Sequence, residues 1–238
     1  YGRTRRTGLI IDPPDGKMPA LTEDGQARQK AMLARRGPRG EGPPPVGLDG
    51  KPLSYGIDTE DVKADNPEDR TPDRCMGVNT PAPSSAMRLV QGAESVMMYT
   101  EYAIGGGAYR YIDLTRRTHP PASFRQKAGH SVGWWEGDTL VIETTNFSDK
   151  GGYSGANLNL KLTERLTRVA DDLVLYRITA DDPTTWVKPW TVEVPATILS
   201  NKENQIFESA CHEGNISMTG ILGGARALEK EGRGRGKR

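Results

Sequence analysis

No apolar run in this 238-residue chain approaches the ~20 residues needed to span a bilayer. Net charge is only +1, which excludes an electrostatic case for binding nucleic acid. Basic runs occur only at the ends, at Arg3, Arg5 and Arg6 and at Arg233, Arg235, Lys237 and Arg238, and read as solvated tails. Hydrophobic residues make up 35%, too few for a core that fills the whole chain. No leader opens the sequence and Tyr1 stands where a Met would, so a mature form with its leader removed is expected. The two cysteines, Cys75 and Cys211, are too far apart for a zinc knuckle or a CxxC redox pair. They form one disulfide, in an oxidising compartment, or stay as two buried thiols; their even number and the apparent export favour the disulfide.

What is present divides at about residue 85. Residues 1–85 read as an extended arm, because the Gly/Pro-rich stretch 37–52 cannot form a regular element. One short helix is expected there from Glu23 to Arg36, with Thr22 as N-cap and Gly37 as stop. Such an arm gains order only by lying on the core or on a neighbouring subunit, so an oligomer formed through it is one expectation. From Met87 onward, short β-branched and aromatic runs alternate with turn signals. Strands are expected near 87–92, 95–104, 108–114, 130–135, 139–148, 160–169, 173–181, 190–199 and 205–212. Tight connections at Glu136-Gly137-Asp138 and Ala170-Asp171-Asp172 make hairpins. No helix of crossover length separates the strands, which excludes βαβ units. The fold class is therefore all-β: an antiparallel meander over 86–215, closing into a small lipocalin-like barrel or a sandwich. Residues 216–238 add a helix from Ser217 to Glu231, packed on one end, and the basic tail.

Several segments together resemble a family of uncharacterised secreted proteins of soil bacteria. They are Ile11-Asp12-Pro13-Pro14-Asp15-Gly16, Trp135-Glu136-Gly137-Asp138-Thr139-Leu140, Thr144-Thr145-Asn146-Phe147, Asp182-Pro183-Thr184-Thr185-Trp186, Pro189-Trp190-Thr191 and Ala210-Cys211-His212-Glu213-Gly214-Asn215. Glu101, Arg110, Ile112, Leu114, Arg117 and His119 fit that pattern too. The resemblance implies export, periplasmic or secreted, and carries no activity with it. His130 departs from the pattern, which usually has Asp there, and this argues against a catalytic role for it.

Strand alternation places Glu164 on a face with Leu160, Leu162 and Leu166, and Arg177 on a face with Leu173 and Leu175. A two-residue turn at Asp171-Asp172 would set Leu166 opposite Arg177, with Glu164 diagonal to Arg177 and Asp181. Charged groups on leucine-rich faces form a buried ion pair or line a polar pocket. A second cluster is His119 with Glu101 and Arg110. His119 sits in the rigid turn Thr118-His119-Pro120-Pro121, where a histidine either caps the turn or serves as acid or base. A metal set of His119, His212 and a Glu can be written, but the spacing does not support it, and neither metal nor cofactor is expected.

The expected catalytic residues are thus His119, His212, Glu164 and Glu101, and the expected ligand-binding residues Arg110, Arg177, Asn146, Asp181, Trp186 and Trp190. The two tryptophans read equally as core packing. The function expected is acid/base chemistry on a small organic or carbohydrate-like molecule by a hydrolase, lyase or isomerase. Its rivals are a lipocalin-like binding protein and an assembly subunit whose arm wraps a neighbour.

Overall fold

The computed structural model describes residues 8–36, 74–75, 86–100, 108–149, 153–156, 158–203, 205 and 210–230. Its centre is one nine-stranded sheet, the all-β architecture expected. In chain order the elements are β1 (Ile10–Asp12), α1 (Glu23–Arg36), β2 (Met87–Gln91), β3 (Ser95–Thr100), β4 (Ala108–Asp113), β5 (His130–Glu136), β6 (Thr139–Thr145), β7 (Lys161–Ala170), β8 (Leu173–Asp181), β9 (Trp190–Thr197) and α2 (Ser217–Lys230). Across the sheet the order is β1-β9-β8-β7-β6-β5-β4-β3-β2.

Alternation gives each central strand an inner and an outer face. Val96, Met98, Ile112, Leu140, Ile142, Leu162, Leu166, Tyr176, Ile178 and Val192 are buried in one cluster on the inner face. Among the described residues neither helix makes extended contact with a strand, so neither forms a layer over this face. Instead the sheet curls over itself. Arg110 on β4 bonds Glu164 on β7, although β5 and β6 lie between them. Flat strands three places apart would be about 14 Å from each other, at roughly 4.8 Å per strand, beyond the reach of that pair. The two sheet edges, β1 and β2, do not pair with each other, so the sheet is curled but not closed.

Four features differ from the sequence expectation. The meander is broken between β4 and β5, which pair in parallel through Ile112↔Ser131 and Asp113↔Val132. Their connection, 114–129, is long enough to return the chain to the same end without a helix. The arm contributes a strand, because β1 pairs antiparallel with β9. The described part of 205–212, residues 205 and 210–212, is not strand. Finally, α2 begins at Ser217 as expected but does not pack on the sheet; its described side chains are exposed except for the half-buried Met218 and Ile221.

Two expectations hold to the residue. The helix α1 spans Glu23–Arg36, and Thr22 Oγ1 accepts the Gly25 N–H at 3.0 Å, as an N-cap does. Cys75 and Cys211 form a disulfide, with Cα atoms 5.7 Å apart. It ties residue 75 to the turn that precedes α2. The rest of the arm and the two basic tails lie outside the described residues.

Candidate active site

The expected pair Glu164–Arg177 does not form. The turn itself is as read, with Ala170 opposite Leu173. A bulge between Arg168 and Ala170 then shifts the register by one, so Leu166 faces Tyr176, Glu164 faces Ile178 and Arg165 faces Arg177. One step of register sends a side chain to the other face. Glu164 points inward and Arg177 outward, where its Nε donates to the buried Glu193 carboxylate.

Arg110 takes the place of Arg177. Its guanidinium donates two bonds to Glu164, at 2.6 and 2.8 Å, and a third to Thr144 Oγ1 at 3.3 Å. Tyr176 Oη donates to the same carboxylate. All three residues are buried. Desolvation alone would lower the Arg110 pKa, but Glu164 outweighs it and the net shift is upward. Burial, and then Glu164, push the Tyr176 phenol well above its ordinary value. The carboxylate is enclosed by a bidentate guanidinium and a phenol that keeps its proton, which makes this cluster an anchor of the core.

A second cluster lies on the outer face. The connection 114–129 folds back there and carries His119 to β5 and β6. His119 Nδ1 is 2.9 Å from His130 Nδ1, with the rings 78° apart, and His119 Nε2 is 3.3 Å from Glu143 Oε1. Lys161 Nζ holds the other carboxylate oxygen of Glu143 at 2.5 Å. Only one pattern of protons satisfies every contact with both rings neutral. His119 Nε2–H donates to Glu143, its bare Nδ1 accepts from His130 Nδ1–H, and His130 Nε2 carries a lone pair. Among the described residues that nitrogen has no hydrogen-bond partner.

Partial burial, and then the neighbouring His119, lower the His130 pKa, although Asp113 pulls the other way. The fold therefore favours the neutral form of the His130 ring. Desolvation would raise the Glu143 carboxyl, but Lys161 and His119 outweigh it and hold it below its ordinary value. The site thus reads as a chain from carboxylate to imidazole to imidazole, ending on a free basic nitrogen.

Local sequence positions these groups. Gly129, at φ +70°, leads into His130; a Cβ there would lie 2.7 Å from the Thr145 carbonyl oxygen and 2.7 Å from Thr144 Cγ2. Only glycine lets the chain enter β5 this close to β6. Asn146, in left-handed conformation just after β6, donates through Nδ2 to the carbonyls of Pro120 at 3.0 Å and Pro121 at 3.3 Å. Arg125 adds bonds to the Phe147 and Leu158 carbonyls, at 2.9 and 2.7 Å. The segment that carries His119 is therefore stapled to the end of β6.

The remaining expected residues are dispersed. Arg110 lies in the inner cluster, away from the contacts of His119, and Glu101 lies outside the described residues. His212 is exposed in the turn beside the disulfide. Among the described residues no three His, Cys, Asp or Glu side chains are grouped to hold a metal ion, so the His119–His212–carboxylate set is not assembled. Asp181 ends β8 opposite Lys161. Trp186 and Trp190 are buried edge-to-face, 5.4 Å apart, and Tyr153 stacks on Trp190 at 5.7 Å. Sequence reasoning missed Glu143 and set His130 aside. The available signal was one carboxylate in the otherwise apolar and threonine-rich run Thr139-Leu140-Val141-Ile142-Glu143-Thr144-Thr145.

Comparison with known family models, curated proteins and solved structures finds no match to this chain.

Proposed function

We propose that the protein is an exported, periplasmic or secreted enzyme that performs acid/base chemistry on a small organic or carbohydrate-like molecule. The Glu143–His119–His130 chain carries this reading. His130 Nε2 takes a proton from the substrate, and the positive charge that develops is shared with His119 and stabilised by Glu143. Lys161 keeps Glu143 ionised and fixed, and Asn146 positions the loop of His119. A chain that ends on a neutral imidazole suits proton abstraction, as in elimination or isomerisation. The disulfide supports export, since such bonds persist in oxidising compartments.

The test is incubation in D2O with pools of sugar acids and small carbonyl compounds, read by mass spectrometry. Deuterium uptake or product formation that disappears in His130→Gln is expected. Identical spectra for both proteins across all pools would contradict the proposal.

One observation favours a second reading, binding of a small ligand on the inner face. The indole N–H groups of Trp186 and Trp190 are buried with no acceptor among the described residues. Two neighbouring orphan donors beside a stacked tyrosine suit a ligand that brings its own acceptors. Such a ligand would quench tryptophan fluorescence in the wild type and leave it unchanged in Trp190→Phe. The arm as an oligomer contact stands as a proposal that sedimentation velocity of the full chain tests.

A further inference from the structure

The outer face beside His130 has two unusual properties. The first is aromatic. Tyr99 pairs across strands with Tyr109, and Met97 with Tyr111. Tyr109 and Tyr111 are 72% and 56% exposed, far more than packing would leave. Because Ile112 pairs with Ser131 in parallel, one step back along both strands places Tyr111 beside His130 on this same face. The tyrosines therefore form a platform that runs up to His130.

The second property is a layering of charge. Three outer-face ion pairs each turn the cation to water and keep the carboxylate beneath. Arg116 and Asp113 are 64% and 12% exposed, Lys161 and Glu143 49% and 23%, and Arg177 and Glu193 51% and 1%. Each pair is neutral, yet an approaching ligand meets the cation first. Two of these cations, Arg116 and Lys161, are bonded to residues within the His130 neighbourhood.

We propose that this face binds an acidic polysaccharide, a chain of uronic acid units, and presents it to His130; the inference rests on the acid/base reading above. Sugar rings offer an apolar C–H face edged with hydroxyls, the surface that exposed tyrosines match, since each joins an apolar ring to a polar tip. Carboxylates along the chain meet Arg116 and Lys161. A neutral glycan would use the tyrosines and gain nothing from the outward position of the cations. In a uronic acid the C–H beside the carboxylate is the acidic one; a neutral histidine at the edge of the platform can take that proton as the neighbouring C4–O bond breaks, which leaves a C4–C5 double bond while the departing sugar oxygen takes a proton from water.

Isothermal titration with oligomers of galacturonate, alginate and hyaluronate, each separately, tests the proposal. Hydroxyethyl cellulose serves as the neutral probe and oligo(dT) as the nucleic-acid probe. At least one acidic oligomer is expected to bind, with affinity falling as salt rises and little response from the other two probes. Tyr109→Ala with Tyr111→Ala should weaken that binding tenfold or more, and Arg116→Gln should weaken it and flatten the salt dependence. Absence of binding to all three acidic oligomers, equal or tighter binding of either control, or indifference to the tyrosine variants would overturn the proposal. Far-UV circular dichroism checks that the variants are folded. Acidic-glycan binding without His130-dependent turnover would sink the enzymatic reading alone, and turnover of a small substrate without glycan binding would sink this proposal alone.

Discussion

At the scale of single residues, two clusters of similar composition have opposite roles. Around Glu164 every charge is buried and matched, and around His130 one lone pair is left over. Breaking a buried ion pair strands its partner in the core. Glu164→Gln is therefore expected to cost about 3–5 kcal/mol in urea denaturation. Loss of less than about 1 kcal/mol would show that Arg110 finds other partners. His130 makes a different prediction. Its folded pKa lies below the ordinary value, so the fold favours the neutral ring. The resulting stability is fully present above about pH 6.5 and is lost as pH falls from there through the lowered folded value. A denaturation series from pH 7.5 to 5 should show that loss in the wild type and not in His130→Gln. Loss from Glu143, whose pKa is also lowered, belongs to more acid pH, in the carboxylate range.

At the scale of elements, the connection 114–129 and its anchors decide whether the site exists. Gly129→Ala would combine a positive φ with a Cβ pressed on backbone oxygen. It should destabilise by more than about 1 kcal/mol, and it should lower turnover by more than the loss of folded protein accounts for, because His130 is the next residue. Unchanged stability would mean that the entry to β5 is less constrained than its contacts require.

This is also the scale that limits what the sequence tells. Thr22, Glu23 and Gly37 mark α1 because caps and stops act locally. Eight of the strands were legible from β-branched runs and turn residues for the same reason. The turn at Asp171-Asp172 was legible, but the bulge two residues earlier was not, and it reverses which side of the sheet Arg177 faces. Such a bulge depends on twist and packing across strands and leaves no strong local mark. The inward direction of Glu164 followed from its leucine neighbours, whereas its partner Arg110 is reached only because the sheet curls. His119 was noticed for its turn. Glu143 and His130 join it through a parallel pairing and a long connection, neither of which hydrophobic alternation encodes.

At the scale of the whole molecule, the chain pins distant segments to one curled sheet. β1 adds an edge, and the start of α1 docks where Thr22 and Arg28 both donate to the Thr184 carbonyl, at 2.7 Å each. The disulfide joins positions 136 residues apart. Closing so long a loop constrains the unfolded chain strongly, so Cys75→Ser with Cys211→Ser is expected to cost about 2–5 kcal/mol, and reduction of the wild type should cost the same. A reduced protein with an unchanged denaturation midpoint would show that the bridge stabilises nothing beyond its own turn.

Imidazole NMR directly measures the proton pattern along Glu143, His119 and His130 on which the site depends. The chain has three histidines, so single substitutions assign every ring signal in a long-range 1H–15N correlation spectrum. At pH 7.5 His119 is expected to carry its proton on Nε2 and His130 on Nδ1, with His130 titrating below about 6.5. Glu143→Gln is expected to perturb the ring nitrogens of both. A His130 ring protonated on Nε2 alone at pH 7.5, or two rings that titrate independently and ignore Glu143→Gln, would contradict that pattern.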